Sequence, residues 1–239
     1  MLVLKEKISD VRAFIKYSKL VNNSNRNGEI LKKMQDLNSI FIHIPKTGGK
    51  SILTSFYGVG VHDGFGHAPM EFYQSVFSKN YCRSAFKFAF VRNPWDRLYS
   101  AYKFALKGGF GFETDIWLKE QIDTQCKADF RIFVKEWLPK QNIDEIIILK
   151  PQYKFVSDQS GQLLLDHACY FERFSEECDF VSKQLNITNR VSHLNSAAHP
   201  SGLGYLDAFD SEMIDITYNL YRKDADVFGY EFQGIMSEK

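Results

Sequence analysis

The chain has 239 residues, with 30 Lys plus Arg against 29 Asp plus Glu, so its formal net charge of +1 singles out neither a nucleic acid nor an anionic membrane as partner. Hydrophobic residues make up 44% and charged residues 25%, a composition that argues against a disordered or membrane-embedded chain and suits one soluble α/β domain. Cys82, Cys126, Cys169 and Cys178 form no CxxC pair and show no zinc-like spacing with His, so neither a disulfide framework nor a metal knuckle is expected.

Residues 1–36 are polar and Lys-rich around scattered apolar positions and predict an N-terminal helical extension with a polar loop at 22–28. Charges at Lys5, Glu6, Lys7, Asp10, Arg12, Lys16 and Lys19 exclude a secretory signal core there. No uncharged apolar stretch reaches the roughly 18 residues of a membrane span, so a cytoplasmic protein is the expectation. The main domain is expected over 37–239.

Ser39-Ile40-Phe41-Ile42-His43-Ile44 reads as a strand, a Gly-bearing turn follows at Pro45, and Ser51-Ile52-Leu53-Thr54-Ser55-Phe56 opens a helix. Phe86 to Val91 repeats the pattern: a strand stops at Arg92-Asn93-Pro94, then Trp95, Leu98, Tyr99, Tyr102 and Leu106 recur at helical spacing. Asn93 is placed to cap that helix, with Pro94 at its first position and Asp96 in its first turn. Gly108-Gly109-Phe110-Gly111 ends it. Ile146-Ile147-Ile148-Leu149 reads as a buried parallel strand, and residues 167–171 as a weaker one. Helices are predicted from about Ser175 to Leu185 and over 211–225, the latter with Ser211 as N-cap. Alternating strands and helices predict a P-loop-like central parallel sheet flanked by helices on both sides, in a single domain.

The segment from Ile42 to Ile52 is the most informative. Strand, glycine turn and helix in succession let backbone N–H groups converge at a helix N-terminus, and such a concavity binds oxyanions. Gly48 and Gly49 would let an anion approach the backbone, and Lys46 would add a mobile positive charge. The loop fails as a Walker A motif: Gly49-Lys50-Ser51 fits its end, but the first glycine would fall at Ile44. The run 146–149 ends in Lys150 where a magnesium-binding strand would end in Asp.

Pro45-Lys46-Thr47-Gly48-Gly49-Lys50-Ser51-Ile52 resembles the 5′-phosphosulfate loop of sulfotransferases, specifically the carbohydrate-type group. The block from Phe90 to Tyr102 resembles the same family's 3′-phosphate motif, with Arg92 at the strand end and Ser100 eight residues on. Softer similarity extends through Lys150 to Tyr153, Tyr170 to Phe174, His193 to Ser196 and Tyr221 to Tyr230, so the resemblance covers about 38–232. Lys50 departs from the pattern, where relatives more often have a small polar residue.

The resemblance implies transfer of a sulfo group from 3′-phosphoadenosine 5′-phosphosulfate to a hydroxyl acceptor, a glycan or glycoconjugate, releasing adenosine 3′,5′-bisphosphate without a metal. Residues 45–52 with Arg92 and Ser100 would hold the donor. Lys46 would stabilise charge on the leaving oxygen. His67, in the Gly-rich segment Asp63 to Pro69, stands where that group carries its general base, since a loop imidazole can take a hydroxyl proton near neutral pH. His62 is its nearest rival; His43, inside an apolar strand, reads as a hydrogen-bonded core residue, and His167, His193 and His199 complete the candidates. Lys103, Lys107, Arg131, Lys135 and Lys154 could line an acceptor groove or form an ordinary solvated face, and Trp117 and Trp137 could stack on a sugar or pack in the core. Two other readings stay open: a nucleotide-dependent phosphotransferase or hydrolase, and a binding protein that keeps the adenosine bisphosphate site without catalysis.

Overall fold

The computed structural model describes residues 25–59, 66–187 and 203–236. In chain order the elements are α1 (Asn25–Asp36), β1 (Ser39–Phe41), α2 (Gly49–Tyr57), α3 (Met70–Val76), α4 (Lys79–Ser84), β2 (Phe86–Val91), α5 (Pro94–Leu106), α6 (Glu113–Gln125) and the short α7 (Phe130–Ile132), which runs on through a π turn (Phe133–Trp137). Then come α8 (Tyr153–Val156), β3 (His167–Tyr170), a 3-10 turn (Phe171–Arg173) leading into α9 (Phe174–Gln184), α10 (Ser211–Phe228), β4 (Tyr230–Glu231) and β5 (Gly234–Ile235). The described chain divides into two compact units, one drawn from 1–91 and 152–198, the other from 92–151 and 199–239.

The first unit is built on a parallel sheet of order β1-β2-β3. Ser39 pairs with Phe86 and Phe41 with Phe88; across the other edge of β2, Phe88 pairs with His167 and Val91 with Tyr170. Phe88, Ala89, Phe90 and Val91 are all fully buried. Successive strand residues point to opposite faces, so β2 is covered on both, as its unbroken apolar run requires. The chain in 22–28 is not all loop: α1 begins at Asn25, and its stripe of Ile30 and Met34, one turn apart, is buried against β1. The Tyr81 hydroxyl lies 2.6 Å from the Met34 carbonyl and 2.9 Å from that of Ser39, tying α1 and β1 together.

The second unit is helical around α5 and α10. Asn93 caps α5 as expected, its side chain accepting from the Trp95 and Asp96 N–H groups, and Pro94 takes the first position. For α10 the cap is Asp210, which accepts from the Met213 N–H, one residue before the predicted Ser211. The apolar run 146–149 is not a strand. It forms turns, with the Ile146 carbonyl accepting from the Leu149 and Lys150 N–H groups, and Ile147 is 41% exposed. The carbonyls that a sheet would have paired are taken by side chains: Arg97 donates to Ile148, Leu149 and Lys150 at 3.2, 3.4 and 2.8 Å, and the Tyr221 hydroxyl to Leu149 at 2.6 Å. Arg97, which sequence alone leaves as a possible surface partner of Asp96, is 1% exposed, and its guanidinium also lies over the Tyr221 ring. No helix of the described residues is long and apolar enough to cross a membrane.

Candidate functional site

The loop 42–48 leaves the carboxyl end of β1, where parallel sheets usually place their ligands. Ile42 and Ile44 are fully buried and anchor it. Thr47, also fully buried, closes the turn by donating its hydroxyl to the Ile44 carbonyl at 2.9 Å. Lys46 and Gly48 flank it with φ of 68° and 82°. Left-handed residues of this kind turn a backbone into a concavity of N–H groups. For Lys46, a residue with a Cβ, that conformation costs about 1–2 kcal/mol, a strain of the sort found at functional sites.

The helix that follows has no side-chain cap at its start, and the Ser51 N–H turns back to the Gly48 carbonyl at 3.0 Å. Gly48 is the N-cap of α2 and offers no side-chain acceptor, no acid lies in the first turn, and Lys50 sits within it. Early helix N–H groups need an acceptor, and a cation beside them is unfavourable. Burial draws the Lys50 pKa below its ordinary value. An oxyanion at this position would answer both features. Pro45 and Ile52 are buried, and Ile52, the fourth helical residue, has its side chain in the core.

The two glycines are fixed by contacts that sequence does not reveal. A Cβ on Gly49 would lie 1.9 Å from Cδ2 of His43, and one on Gly48 would lie 2.8 Å from the Phe174 ring and 3.2 Å from that of Phe171. Room for an anion is therefore not their only reason. His43 is hydrogen-bonded as expected, through the Gly66 backbone, but its Nδ1 is buried without a hydrogen-bond partner. Its pKa is held well below 6.5, first by burial and then by the neighbouring charge of His67, against a raising contribution from the Gly66 carbonyl.

His67 is held beside this loop. Its Nδ1 lies 3.0 Å from the His43 carbonyl, and the two imidazole centroids are 4.3 Å apart. A carbonyl oxygen can only accept, so Nδ1 carries the hydrogen and, in the neutral ring, Nε2 is the basic nitrogen. His62, the rival base, and His193 and His199 lie outside the described residues. His167 is engaged elsewhere, with Nε2 2.8 Å from Glu177.

Arg92 and Ser100 belong to the second unit. Arg92 directly follows β2, and its Nε donates to Asp96 at 2.7 Å, both side chains being largely buried. Asp96 in turn stands one helical turn before Ser100, so the three lie at i, i+4 and i+8. The amides at the start of α5 are already met by Asn93, whose Nδ2 also donates to the Glu231 carbonyl at 2.8 Å. Any anion here would thus be held by side chains more than by the helix terminus. Among the proposed acceptor residues, Lys135 is paired with Asp210 and Glu212 at 2.9 and 2.6 Å, and Lys103 lies over the Tyr99 ring. Trp137 is buried, whereas Trp117 is 42% exposed.

A β-α loop shaped for an oxyanion, with an imidazole fixed in one tautomer beside it, defines a candidate group-transfer site. The model described as Sulfotransferase family matches residues 34–231, and the chain belongs to that family. No curated protein and no solved structure matches it.

Proposed function

We propose that this sulfotransferase moves a sulfo group from 3′-phosphoadenosine 5′-phosphosulfate to a hydroxyl of a carbohydrate, with residues 37–239 as the transferase domain and 1–36 as its extension. The observation that carries this reading is the hydrogen bond from His67 to the His43 carbonyl, which presents a basic Nε2 next to the loop 45–52. The donor supplies the sulfo group and a phosphate leaving group. The N–H groups of residues 47–50 bind its 5′ end, and Lys46 places a compact cation there to offset charge on the leaving oxygen. Arg92 and Ser100 take the 3′-phosphate, Arg92 with its planar fork oriented by Asp96. His67 accepts the acceptor's hydroxyl proton at Nε2, and the Nδ1–H bond to His43 stabilises the imidazolium so formed.

The nucleotide-hydrolase reading is weakened by Ile44 in place of the first Walker A glycine. Residues 146–149 form turns, so Lys150 does not bear on it; the strands that do pair with β2 end in Phe41 and Tyr170, neither in Asp. Incubating the protein with sulfo-labelled donor and a panel of glycans and small hydroxyl compounds tests the proposal. Labelled product that is lost in His67→Ala is expected. Magnesium-dependent ATP turnover without sulfo transfer would overturn it.

A further inference from the structure

His167 and Cys169 stand two apart on β3, so their side chains share one face of that strand. Glu177 comes from the α9 helix. One ligand atom from each, His Nε2 or Nδ1, Cys Sγ and a carboxylate oxygen, lie within 4.8 Å of one another. Cys169 is fully buried and Glu177 is 7% exposed, while the His167 side chain keeps 31% of its surface. The cluster is thus a nearly dry pocket with one wet side.

We propose that His167, Cys169 and Glu177 form a binding site for a zinc-class divalent metal, with solvent in the fourth position. The donor set of one imidazole, one thiolate and one carboxylate is the mixture zinc accepts. Bonds of about 2.0–2.3 Å at tetrahedral angles put ligand atoms roughly 3.4 Å apart. The His167–Glu177 distance of 2.8 Å would open by about half an ångström, and the sulfur, at most 4.8 Å from the other two, would close by no more than about 1.4 Å, which rotamer adjustments can supply.

The charge balance favours occupancy. Without a metal, Glu177 is a buried carboxylate whose partners are His167 at 2.8 Å and, at 3.9 Å, the half-exposed Arg173. A divalent ion with one thiolate and one carboxylate is neutral overall, the state a low-dielectric pocket tolerates best. Binding then breaks the S–H bond, forms the metal–sulfur bond and releases one proton to solvent, with no change of oxidation state. No CxxC or His-rich spacing announces the site; a strand and the helix after it assemble it.

A consequence reaches the loop. The same β3–α9 connection carries Phe171 and Phe174, the rings behind Gly48. A metal that fixes β3 to α9 would stiffen that wall. The proposal stands apart from the transfer reading, since it concerns other residues and is read by spectroscopy.

The test uses the full chain freed of metal by a chelator, with Co²⁺ as the probe. Expected are stoichiometric binding, a near-ultraviolet thiolate-to-cobalt band, visible bands of four-coordinate cobalt, displacement by Zn²⁺ and a rise in melting temperature. Cys169→Ser should abolish the near-ultraviolet band, and His167→Gln, at a partly exposed position, should weaken binding more than about tenfold. Circular dichroism of the metal-free variants separates lost binding from lost folding, and Cys82→Ser serves as control. A charge-transfer band that persists in Cys169→Ser, or no saturable binding below about 100 μM, would overturn the proposal.

Discussion

Two helices in this chain start just beyond a strand's carboxyl end, and they start in opposite ways. The α5 helix is self-sufficient: Asn93 accepts from two of its first amides, Pro94 removes a third donor, and Asp96 sits in the first turn. The α2 helix has none of these, and carries Lys50 where an acid would be favourable. A terminus completed by its own side chains contributes to folding before any ligand arrives. One left open gives up that stability and keeps its donors for something anionic. On the proposed reading the two phosphates would be held differently, one by main-chain amides around Gly48 and the other by a side-chain grip through Arg92.

The largest effect should come at the α2 loop. His67→Ala should lower the rate of sulfo transfer by about 10²–10⁴-fold, and Lys46→Ala by about 10²–10³-fold, while nucleotide affinity changes far less. Kinetics with labelled donor beside calorimetric binding decides this, and equal losses in both would reassign the residues to binding.

Next comes the packing that shapes the open terminus. Gly49→Ala forces a methyl into the His43 ring, so a loss of about 1–3 kcal/mol in urea unfolding is expected, together with loss of nucleotide binding. At the completed terminus, Asn93→Ala should cost about 1 kcal/mol of stability through the lost cap. A larger loss of stability for Asn93→Ala than for Gly49→Ala would break the contrast.

The smallest effects carry the most informative signs. Lys50→Ala should weaken nucleotide binding while changing the stability of the ligand-free protein by less than about 1 kcal/mol, because a cation in a first helical turn is unfavourable to the helix dipole and favourable to a phosphate. His43 gives a pH signature. Its folded pKa is depressed, so the unfolded chain binds a proton more readily, and stability should fall as pH drops below 6.5 towards the folded value. His43→Asn should flatten that part of a pH series of urea midpoints.

Much of this was legible beforehand, for definable reasons. The strands at 39–41 and 86–91 announce themselves because both lie in runs rich in β-branched or aromatic residues that end at turn residues, Pro45 and Asn93-Pro94. Ile146 to Leu149 looks the same in sequence, but its carbonyls are claimed by Arg97 and Tyr221, partners far away in the chain. Four apolar residues alone do not distinguish a strand from a buried turn. Within α1, polar composition hid the helix start, although Ile30 and Met34 at i, i+4 were the available signal.

The candidate site divides similarly. The residue types of the loop were readable from their order, and so was a histidine after it. What could not be read is that His43 both blocks a Cβ at Gly49 and fixes the tautomer of His67 through its carbonyl. The Arg92–Asp96 pair was missed although its i, i+4 spacing was visible. The phenylalanines behind Gly48 lie more than a hundred residues away in the chain, and no local pattern connects them.

The most direct test of the central claim is a titration of the full chain with adenosine 3′,5′-bisphosphate, followed by calorimetry and thermal unfolding. Saturable one-to-one binding is predicted, with stabilisation near 2.7 kcal/mol at a hundred times the dissociation constant, and with both signals lost in Gly49→Ala and weakened in Arg92→Ala. No heat and no thermal shift at millimolar nucleotide, from a protein that is otherwise folded, would contradict the account.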